Sequence, residues 1–430
     1  MMFPDFANEA DFLELLRGQA LLPQGFRVAT TRIAFTPRER PTLEPYRMNL
    51  GLILADEPTD SFAGVFTKNA FPGAPVLLGR ELLDEPATQG VLVNNKISNV
   101  RAATGLEDAK RLTASLGSAL GLPPRRLWSV STGIIGWALP VPEMEGALPE
   151  LADGLHRGDA LDLAQAIMTT DSFPKARRVE LAGGSILGIA KGAGMVEPDM
   201  ATMLVFLLTD LDVSRETVRR VLPRAVDPTL NAITIDGDMS TSDTTLLVSS
   251  RRVAASGLDE DEFAGALTRL CGLLARDVVR NGEGTGHVLE LKVRGLESDD
   301  LARRVAKAVA NSPLVKTALY GNDPNVGRLL SAVGDYLGSN GRSVDPDRVV
   351  IRVGSETVFA DGSFRIDREK EVRLSGYLKS TALNPRLTGY PQHQRCVEVE
   401  IDCGAGDGSA RVWGSDLSDQ YVHENADYRT

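Results

Sequence analysis

The chain has 430 residues, of which 43% are hydrophobic and 24% charged, and its formal net charge is −11. These proportions exclude a largely disordered chain, and the negative charge argues against a nucleic-acid partner because phosphate binding needs a basic surface. The length exceeds one small core, so we expect two or three packed units or one fold of two halves, with small molecules as partners.

The compartment is indicated by the N-terminus and by the cysteines. Residues 1–24 carry acidic residues and lack a basic region followed by an apolar core, so they do not resemble a signal peptide. Their apolar spacing predicts a helical extension before the main fold. Because no stretch approaches about 18 apolar residues, no membrane span is expected. Cys271, Cys396 and Cys403 show no CxxC spacing, which favours free cytoplasmic thiols over disulfides or zinc.

The first half of the chain alternates short β-rich runs with Gly, Pro and Asn. This pattern predicts strands over 50–54, 63–67 and 90–93. The charged, proline-rich stretch 36–47 is expected to be an exposed loop. Apolar residues three and four positions apart predict helices over 106–120 and 161–169.

The second half begins with glycine-rich turns and the apolar run TMLVFLLTD at 202–210, which predicts a buried strand opened by Thr202. The segment 231–250 predicts two strands joined at Asp236-Gly237 as a hairpin. Periodicity predicts helices over 214–226, 258–280 and 299–311, and strands over 286–294, 348–353 and 396–402. The fold class is therefore α/β or α+β, rich in sheet and with helices outside.

The segment KGAGMVEPDMATML at 191–204 delivers a small hydroxyl residue to the start of a buried strand. That placement suits a nucleophile at Thr202, although threonine is also an ordinary strand residue. In the same way, STGIIG at 131–136 suits an oxyanion hole or a plain glycine turn. The Asp236-Gly237-Asp238 stretch is interpreted as a tight turn rather than a metal site, because its spacing matches no cation loop.

Seven ordered blocks carry a resemblance to a known family. Beside KGAGM followed by PDMATML, these are STGIIG, AIMTTDSFPK at 166–175, NAITIDGDMSTSDT at 231–244, NGEGTG at 281–286, GNDPNVGR at 321–328 and the terminal NADYRT. The chain closely resembles the ornithine acetyltransferases, also called bifunctional glutamate N-acetyltransferases, from Gly25 to Thr430. The resemblance implies a layered helix–sheet–sheet–helix sandwich formed by two chains, 25–201 and 202–430, after self-cleavage between Ala201 and Thr202.

The same resemblance implies roles for individual residues. Thr202 is the nucleophile, and its freed α-amine is the base. Thr132 and Gly133 form the oxyanion hole. The expected substrate contacts are Thr169, Lys191, Thr202, Glu283, Asn425 and Thr430. Cleaved subunits are expected to form a heterotetramer, and no cofactor and no metal is expected.

The chain departs from the family pattern at several blocks. It has ATTRIAF with the inserted 36–47 loop near its start, and NNKISNVRAATG at 94–105 where the family shows NSGNANACTG. Val326 replaces a tryptophan, and His287 stands where a lysine is expected. These changes leave open a paralogue that acts on another amino acid or secondary metabolite, an amidohydrolase of the same architecture, and an uncleaved binding protein. The intact Ala201-Thr202 pair argues against the last of these.

Overall fold

The computed structural model of the protein describes residues 3–41, 44–197 and 203–426. Its helices in chain order are α1 (Glu9–Gln19), α2 (Ala74–Leu82), α3 (Gly105–Leu120), α4 (Val141–Asp153), α5 (Leu161–Ala166), α6 (Arg215–Val226), α7 (Glu260–Arg280), α8 (Asp299–Asn311), α9 (Pro313–Tyr320), α10 (Val326–Ser339), α11 (Arg368–Thr381) and α12 (Asp419–Ala426). Its strands are β1 (Phe26–Phe35), β2 (Tyr46–Thr59), β3 (Phe62–Phe66), β4 (Thr88–Asn94), β5 (Leu127–Ser131), β6 (Lys175–Leu181), β7 (Gly184–Lys191), β8 (Leu204–Leu211), β9 (Ile233–Thr234), β10 (Thr244–Val253), β11 (Val288–Leu296), β12 (Val350–Val353), β13 (Glu356–Ala360), β14 (Ser363–Phe364), β15 (Val397–Asp402) and β16 (Gly408–Ser415).

Two sheets pack face to face in the first part of the fold. One has the strand order β1-β2-β4-β5, and the other has the order β3-β10-β8-β7-β6. Their inner faces share one hydrophobic core, to which Ile53 and Val91 contribute from the first sheet and Phe206 from the second. Strand β8 is buried along its whole length, because it lies between β7 and β10 and is covered on both faces.

Helices cover both outer faces of this sheet pair. Leu112 of α3 and Leu148 of α4 pack against the outer face of the four-stranded sheet. Val221 of α6 and Leu270 of α7 pack against the outer face of the five-stranded sheet. The predicted helix–sheet–sheet–helix sandwich is therefore confirmed, and most predicted helices and strands are found within a few residues of their expected bounds.

A third sheet forms a further unit, and the sequence predicted three of its strands but not their assembly into one sheet. Its strand order is β14-β13-β12-β15-β11-β16-β9. Apolar residues of β11, β12 and β15 form a separate core with α8, α9, α10 and α11. Within the described part of the chain, no helix is both long and apolar enough to cross a membrane.

The N-terminal extension is tied into the main fold. Phe12 and Leu16 of α1 are fully buried in the core shared by the two sheets. The guanidinium of Arg177, on β6, lies 3.2 Å from the centre of the Phe3 ring. Arg177 also forms a bidentate ion pair with Asp277 of α7, at 2.6 and 2.8 Å, and both side chains are at most 2% exposed. This ion pair joins the edge strand β6 to the helix that precedes residues 281–287.

Three sequence-based expectations were wrong in detail. The hairpin at Asp236-Gly237 does not form, because β9 pairs with β16 in the third sheet while β10 pairs with β8 and β3. The predicted loop ends early, because Tyr46 and Arg47 already belong to β2. The helix predicted over 161–169 ends at Ala166, and Thr169 lies beyond it with its amide bonded to the Asp171 carboxylate.

Candidate active site

The site forms where strands of both sandwich sheets end. In the five-stranded sheet, Lys191 at the end of β7 and Thr244 at the start of β10 both lie beside Leu204, the first residue of β8. The Thr244 amide donates to the carbonyl of Met203. In the four-stranded sheet, β5 ends at Ser131, and its next residue, Thr132, donates its amide to the Asn94 carbonyl at the end of β4. Strand pairing thus brings three chain segments together in the five-stranded sheet and two in the four-stranded sheet.

These segments surround a cavity of about 270 Å³, the size of a small amino acid derivative. Residues that line it include the sequence-predicted Thr132, Gly133, Thr169, Lys191, Glu283 and Asn425, together with Met203, which directly follows Thr202. Ala201, Thr202 and Thr430, which were also predicted as site residues, lie outside the described residues. The predicted residues within the described ranges therefore share one cavity.

The turn Thr132-Gly133 presents two donors at the cavity wall. Gly133 has a φ of +123°. A Cβ at this position would lie 2.3 Å from the backbone carbon and oxygen of Lys96, so only glycine allows this close approach. Within the described parts of the chain, neither the Gly133 amide nor the Thr132 hydroxyl has a hydrogen-bond partner. Both donors remain available to a ligand.

Lys191 supplies a buried positive charge. Its side chain is 8% exposed, and its Nζ donates to the Thr169 hydroxyl at 3.2 Å. No carboxylate of the described residues lies within ion-pair distance of Nζ. Burial lowers the pKa of Lys191, and the negative charges of Asp171, Asp243 and Glu283 act in the opposite direction. An ammonium group in this environment gains from pairing with a ligand carboxylate.

Asp171 accepts hydrogen bonds from several groups around Lys191, and the sequence analysis did not single it out. Its carboxylate accepts from Lys175 Nζ at 2.5 Å and from the amides of Thr169 and Gly192. Burial would raise the pKa of this carboxyl, but the positive charges of Lys175 and Lys191 outweigh it and hold the pKa below its usual range. The only sequence signal was the aspartate inside AIMTTDSFPK, which lies between two hydroxyl residues and a lysine.

Glu283 also lines the cavity. Its amide donates to the Ala193 carbonyl, and its carboxylate accepts from Asn425 Nδ2 at 2.7 Å. A Cβ on Gly194 would lie 2.4 Å from the Glu283 carboxyl group. Because glycine has no Cβ, the carboxylate can pack directly against the 191–197 segment. The carboxylate can receive an ammonium group from a ligand whose own carboxylate is bound by Lys191.

Asp243 is a second buried carboxyl at the cavity wall, and the sequence analysis did not single it out. It is 2% exposed, and it precedes β10 just as Met203 precedes β8. Burial raises the pKa of Asp243 well above its usual range, while the nearby polar groups of Ser240, Thr67 and Met203 and the charge of Lys191 act to lower it. Among the described residues, its Oδ2 has no hydrogen-bond partner.

The Asp236 turn and His287 contribute to the surrounding structure. The Asp236 carboxylate accepts hydrogen bonds from the amides of Met195 and Val196, which fixes this part of the chain beside the cavity. His287 is buried, with Nδ1 3.0 Å from Asp416 and Nε2 3.2 Å from the Leu378 carbonyl. Within the ranges that the structure describes, no group of His, Cys, Asp or Glu side chains is arranged to hold a metal ion.

A two-sheet sandwich whose strand ends enclose unpaired donors, a buried lysine and a glutamate defines an enzyme of the acyl-transferring class. A family model described as the ArgJ family matches residues 40–430. The chain belongs to the ArgJ family.

Individual relatives agree with this assignment. The chain is 40% identical over 424 residues to the arginine biosynthesis bifunctional protein ArgJ of Geobacter sulfurreducens, covering 95% of this chain and 99% of that protein. It is 36% identical over 411 residues to the glutamate N-acetyltransferase Oat2 of Streptomyces clavuligerus, covering 95% and 98%. A crystal structure of ArgJ from Bacillus halodurans is 31% identical, covers 52% of this chain and 99% of that chain, and has a TM-score of 0.43.

Proposed function

We propose that this protein is a glutamate N-acetyltransferase of arginine biosynthesis, which carries acetyl from N-acetylornithine to glutamate on Thr202. The observation that carries the proposal is the convergence of four residues on one cavity: Thr132, Gly133, Lys191 and Glu283. Met203, the residue after Thr202, lines the same cavity. The reaction needs no cofactor, and we place it in the cytoplasm. Named relatives support the activity, since one is a glutamate N-acetyltransferase and others are bifunctional arginine biosynthesis proteins.

The proposed nucleophile is created by self-cleavage between Ala201 and Thr202. Cleavage gives Thr202 a free α-amine, whose reference pKa is about 7.7 to 8.0, so a substantial neutral fraction is present near neutral pH. The neutral amine can take the proton of the Thr202 hydroxyl as this attacks the acetyl donor. One residue then supplies both nucleophile and base, and no histidine is required.

The proposed oxyanion hole consists of the Thr132 hydroxyl and the Gly133 amide. Both donors line the cavity and have no partner within the described residues. Donors of this kind stabilise the negative oxygen that develops when the acetyl carbonyl is attacked, and each is typically worth about 3 to 4 kcal/mol.

The proposed substrate contacts follow from charge. Lys191 pairs with the α-carboxylate of the amino acid, and Thr169 holds the lysine by accepting from its Nζ. Glu283 receives an ammonium group, and Asn425 orients its carboxylate through the 2.7 Å hydrogen bond. Thr430, at the chain end, completes this set in our proposal.

We further propose that residues 25–201, preceded by the 1–24 extension, and residues 202–430 form two subunits. Two copies of each subunit then assemble as a heterotetramer.

A paralogue with a different amine substrate is the second candidate. It is favoured by Ser98, which lies in the altered 94–105 block and lines the cavity. Its hydroxyl donates to the Ile134 carbonyl at 2.8 Å, so the altered block is part of the cavity wall.

Intact-mass spectrometry of the purified chain tests the proposal. We expect two fragments that split at Thr202, and we expect the C-terminal fragment to gain one acetyl group when N-acetylornithine is added. Glutamate should then remove that group as N-acetylglutamate. Acetylation by another N-acyl amino acid in place of N-acetylornithine would establish the paralogue, release of free acetate without an amine would establish a hydrolase, and an uncut, unmodified chain would overturn the proposal.

In the Gly133→Ala variant the rate of acetyl transfer is expected to fall about 10²- to 10³-fold, the usual effect of losing one oxyanion donor. The added Cβ meets the Lys96 backbone at 2.3 Å and displaces the Gly133 amide. Gly136→Ala is the matched control, because Gly136 also has a positive φ (+87°) but has open space around its Cβ position. It should lose about 1 to 3 kcal/mol of stability from backbone strain and keep its transfer rate. Equal transfer rates in both variants would contradict this role of Gly133.

A further inference from the structure

A second cavity lies beside the active-site cavity, and the proposed reaction does not use it. Its volume is about 330 Å³, compared with about 270 Å³ for the active-site cavity, so it can hold a ligand of amino-acid size. Thr170 and Glu283 line both cavities, which are therefore adjacent. The second cavity is lined by residues from 170–173, 280–285 and 383–392, together with Glu424.

The loop at 383–392 is joined to the other two segments by backbone hydrogen bonds. The Leu383 amide donates to the Gly286 carbonyl, and the Gly389 amide donates to the Ser172 carbonyl. One bond lies at the start of the loop and the other near its end. The three segments that line the cavity are therefore held together by the fold itself.

Arg280 supplies a buried positive charge to this cavity. It is only 6% exposed, and it lines the cavity at the end of α7. Its Nη1 and Nη2 atoms donate to the side-chain oxygen and the backbone carbonyl of Gln394, at 3.2 and 3.1 Å, and both acceptors are uncharged. Within the described residues its Nε has no hydrogen-bond partner, and no carboxylate lies within ion-pair distance, since Asp277 pairs with Arg177. A buried guanidinium in this state gains from pairing with a ligand carboxylate.

The remaining charges of the cavity decide what kind of ligand fits. In the described chain, the other charged side chains that line it are the carboxylates of Asp171, Glu283 and Glu424. Asp171 is already paired with Lys175. Burial and the nearby charge of Glu283 raise the pKa of Glu424, so these two carboxyl groups lie close enough to repel each other. A purely anionic ligand would be repelled by the two glutamates, and a purely cationic ligand would leave the guanidinium unpaired. A zwitterion satisfies both charges.

We propose that this cavity is a second binding site, which takes a free α-amino acid with an uncharged polar side chain. The carboxylate of the ligand pairs with Arg280, and its ammonium group is received by the carboxylates of Glu283 and Glu424. Asn384 and Thr388 offer polar groups to the ligand side chain.

Occupation of this site weakens amine binding at the active site, a consequence that rests on the proposed function. Glu283 is the proposed partner of the substrate ammonium group, and it lines both cavities. An ammonium group bound to Glu283 from the second cavity offsets its negative charge. The KM for N-acetylornithine should therefore rise about fivefold or more when the second site is filled, the lower end of typical coupling between sites.

The first test measures binding of L-glutamine to the purified wild-type protein by titration calorimetry. L-glutamine is a zwitterion with an uncharged polar side chain. Two analogues each lack one of its charges: L-glutaminamide has no carboxylate, and glutaramate has no amino group. Each analogue should bind about 10- to 100-fold more weakly, the usual effect of losing a hydrogen bond to a charged group.

Variants then distinguish the second cavity from the active site. Arg280→Met should weaken L-glutamine binding about 10- to 100-fold. Arg280→Lys keeps the positive charge but loses the planar fork, so its affinity should stay within about tenfold of the wild type. Lys191→Met, in the active-site cavity, should still bind L-glutamine. Thermal melting shows whether each variant is folded, and the two analogues test the wild type without any substitution.

The outcomes separate clearly. Weak binding by Arg280→Met beside retained binding by Arg280→Lys and Lys191→Met supports the proposal, as does a rise in KM that L-glutamine causes in the wild type but not in Arg280→Met. The proposal is overturned if L-glutamine does not bind at millimolar concentration, if both analogues bind equally well, or if folded Arg280→Met keeps the wild-type affinity. A wild-type protein without acetyl transfer contradicts the proposed function and leaves the binding result intact, so the two failures are distinguishable.

Discussion

Thr202→Ala is expected to give a single uncut chain that takes up no acetyl group from N-acetylornithine. The variant lacks the hydroxyl that attacks the Ala201 carbonyl, so no ester forms and the α-amine is never released. It also lacks the hydroxyl that would carry acetyl. Acetyl transfer should fall by at least about 10⁴-fold, because removing a covalent nucleophile costs an enzyme most of its rate enhancement.

Thr202→Ser is the matched control for this prediction. Serine keeps the hydroxyl but loses the methyl group, which helps to fix χ1 of threonine. The chain should therefore still cut itself and transfer acetyl, both more slowly than the wild type. Intact mass and an exchange assay with N-acetylornithine and glutamate measure the two steps. Self-cleavage of Thr202→Ala, or full transfer activity in that variant, would remove Thr202 from its proposed role.

Arg177→Met is expected to lower the free energy of unfolding by about 3 to 5 kcal/mol, the usual cost of leaving one member of a buried ion pair unpaired. The bidentate pair with Asp277 is at most 2% exposed, so water cannot replace the lost guanidinium. The variant also removes the contact between Arg177 and the Phe3 ring. Urea unfolding followed by fluorescence measures the change.

The double variant Arg177→Met/Asp277→Leu tests the cause of this loss. It removes both charges, and replacement of a buried pair by apolar side chains is often neutral or stabilising. The double variant should therefore unfold at a higher urea concentration than Arg177→Met alone. A double variant that is less stable than the single one would show that Asp277 contributes stability apart from its pair with Arg177, and would contradict the unpaired carboxylate as the cause of the loss.

Hydrophobic periodicity was sufficient to predict most individual helices and strands. The spacing of Leu112 and Leu116 predicted α3, and the apolar run after Thr202 predicted β8, because both patterns reflect burial of one helical face or of two sheet faces. The pairing of strands was harder to predict from the sequence. The two-residue strand β9 pairs with Trp413 and Gly414, about 180 positions away, and a local Asp-Gly signal could not reveal this.

The site could be predicted from the sequence only in part, for a similar reason. Lys191 and Glu283 are typical surface charges when taken singly, and the family resemblance rather than local chemistry predicted that they share a cavity. Asp243 was missed because it reaches the start of β8 only through the parallel pairing of β10 with β8, which lies outside local sequence patterns. The cores could be anticipated from hydropathy, whereas the convergence of polar groups depends on sheet order, which periodicity does not encode.

The order of strands in the five-stranded sheet constrains any chain that is cut at residue 202. Strands β3, β7 and β6 precede that position, and β8 and β10 follow it, so the two strands of the second piece lie between strands of the first piece in one sheet. Hydrogen bonds between β7 and β8 and between β3 and β10 hold them together after the peptide bond is broken. Once cut and unfolded, however, the pieces must find each other in solution. Recovery of the native state then depends on protein concentration, while the uncut chain folds as a single molecule.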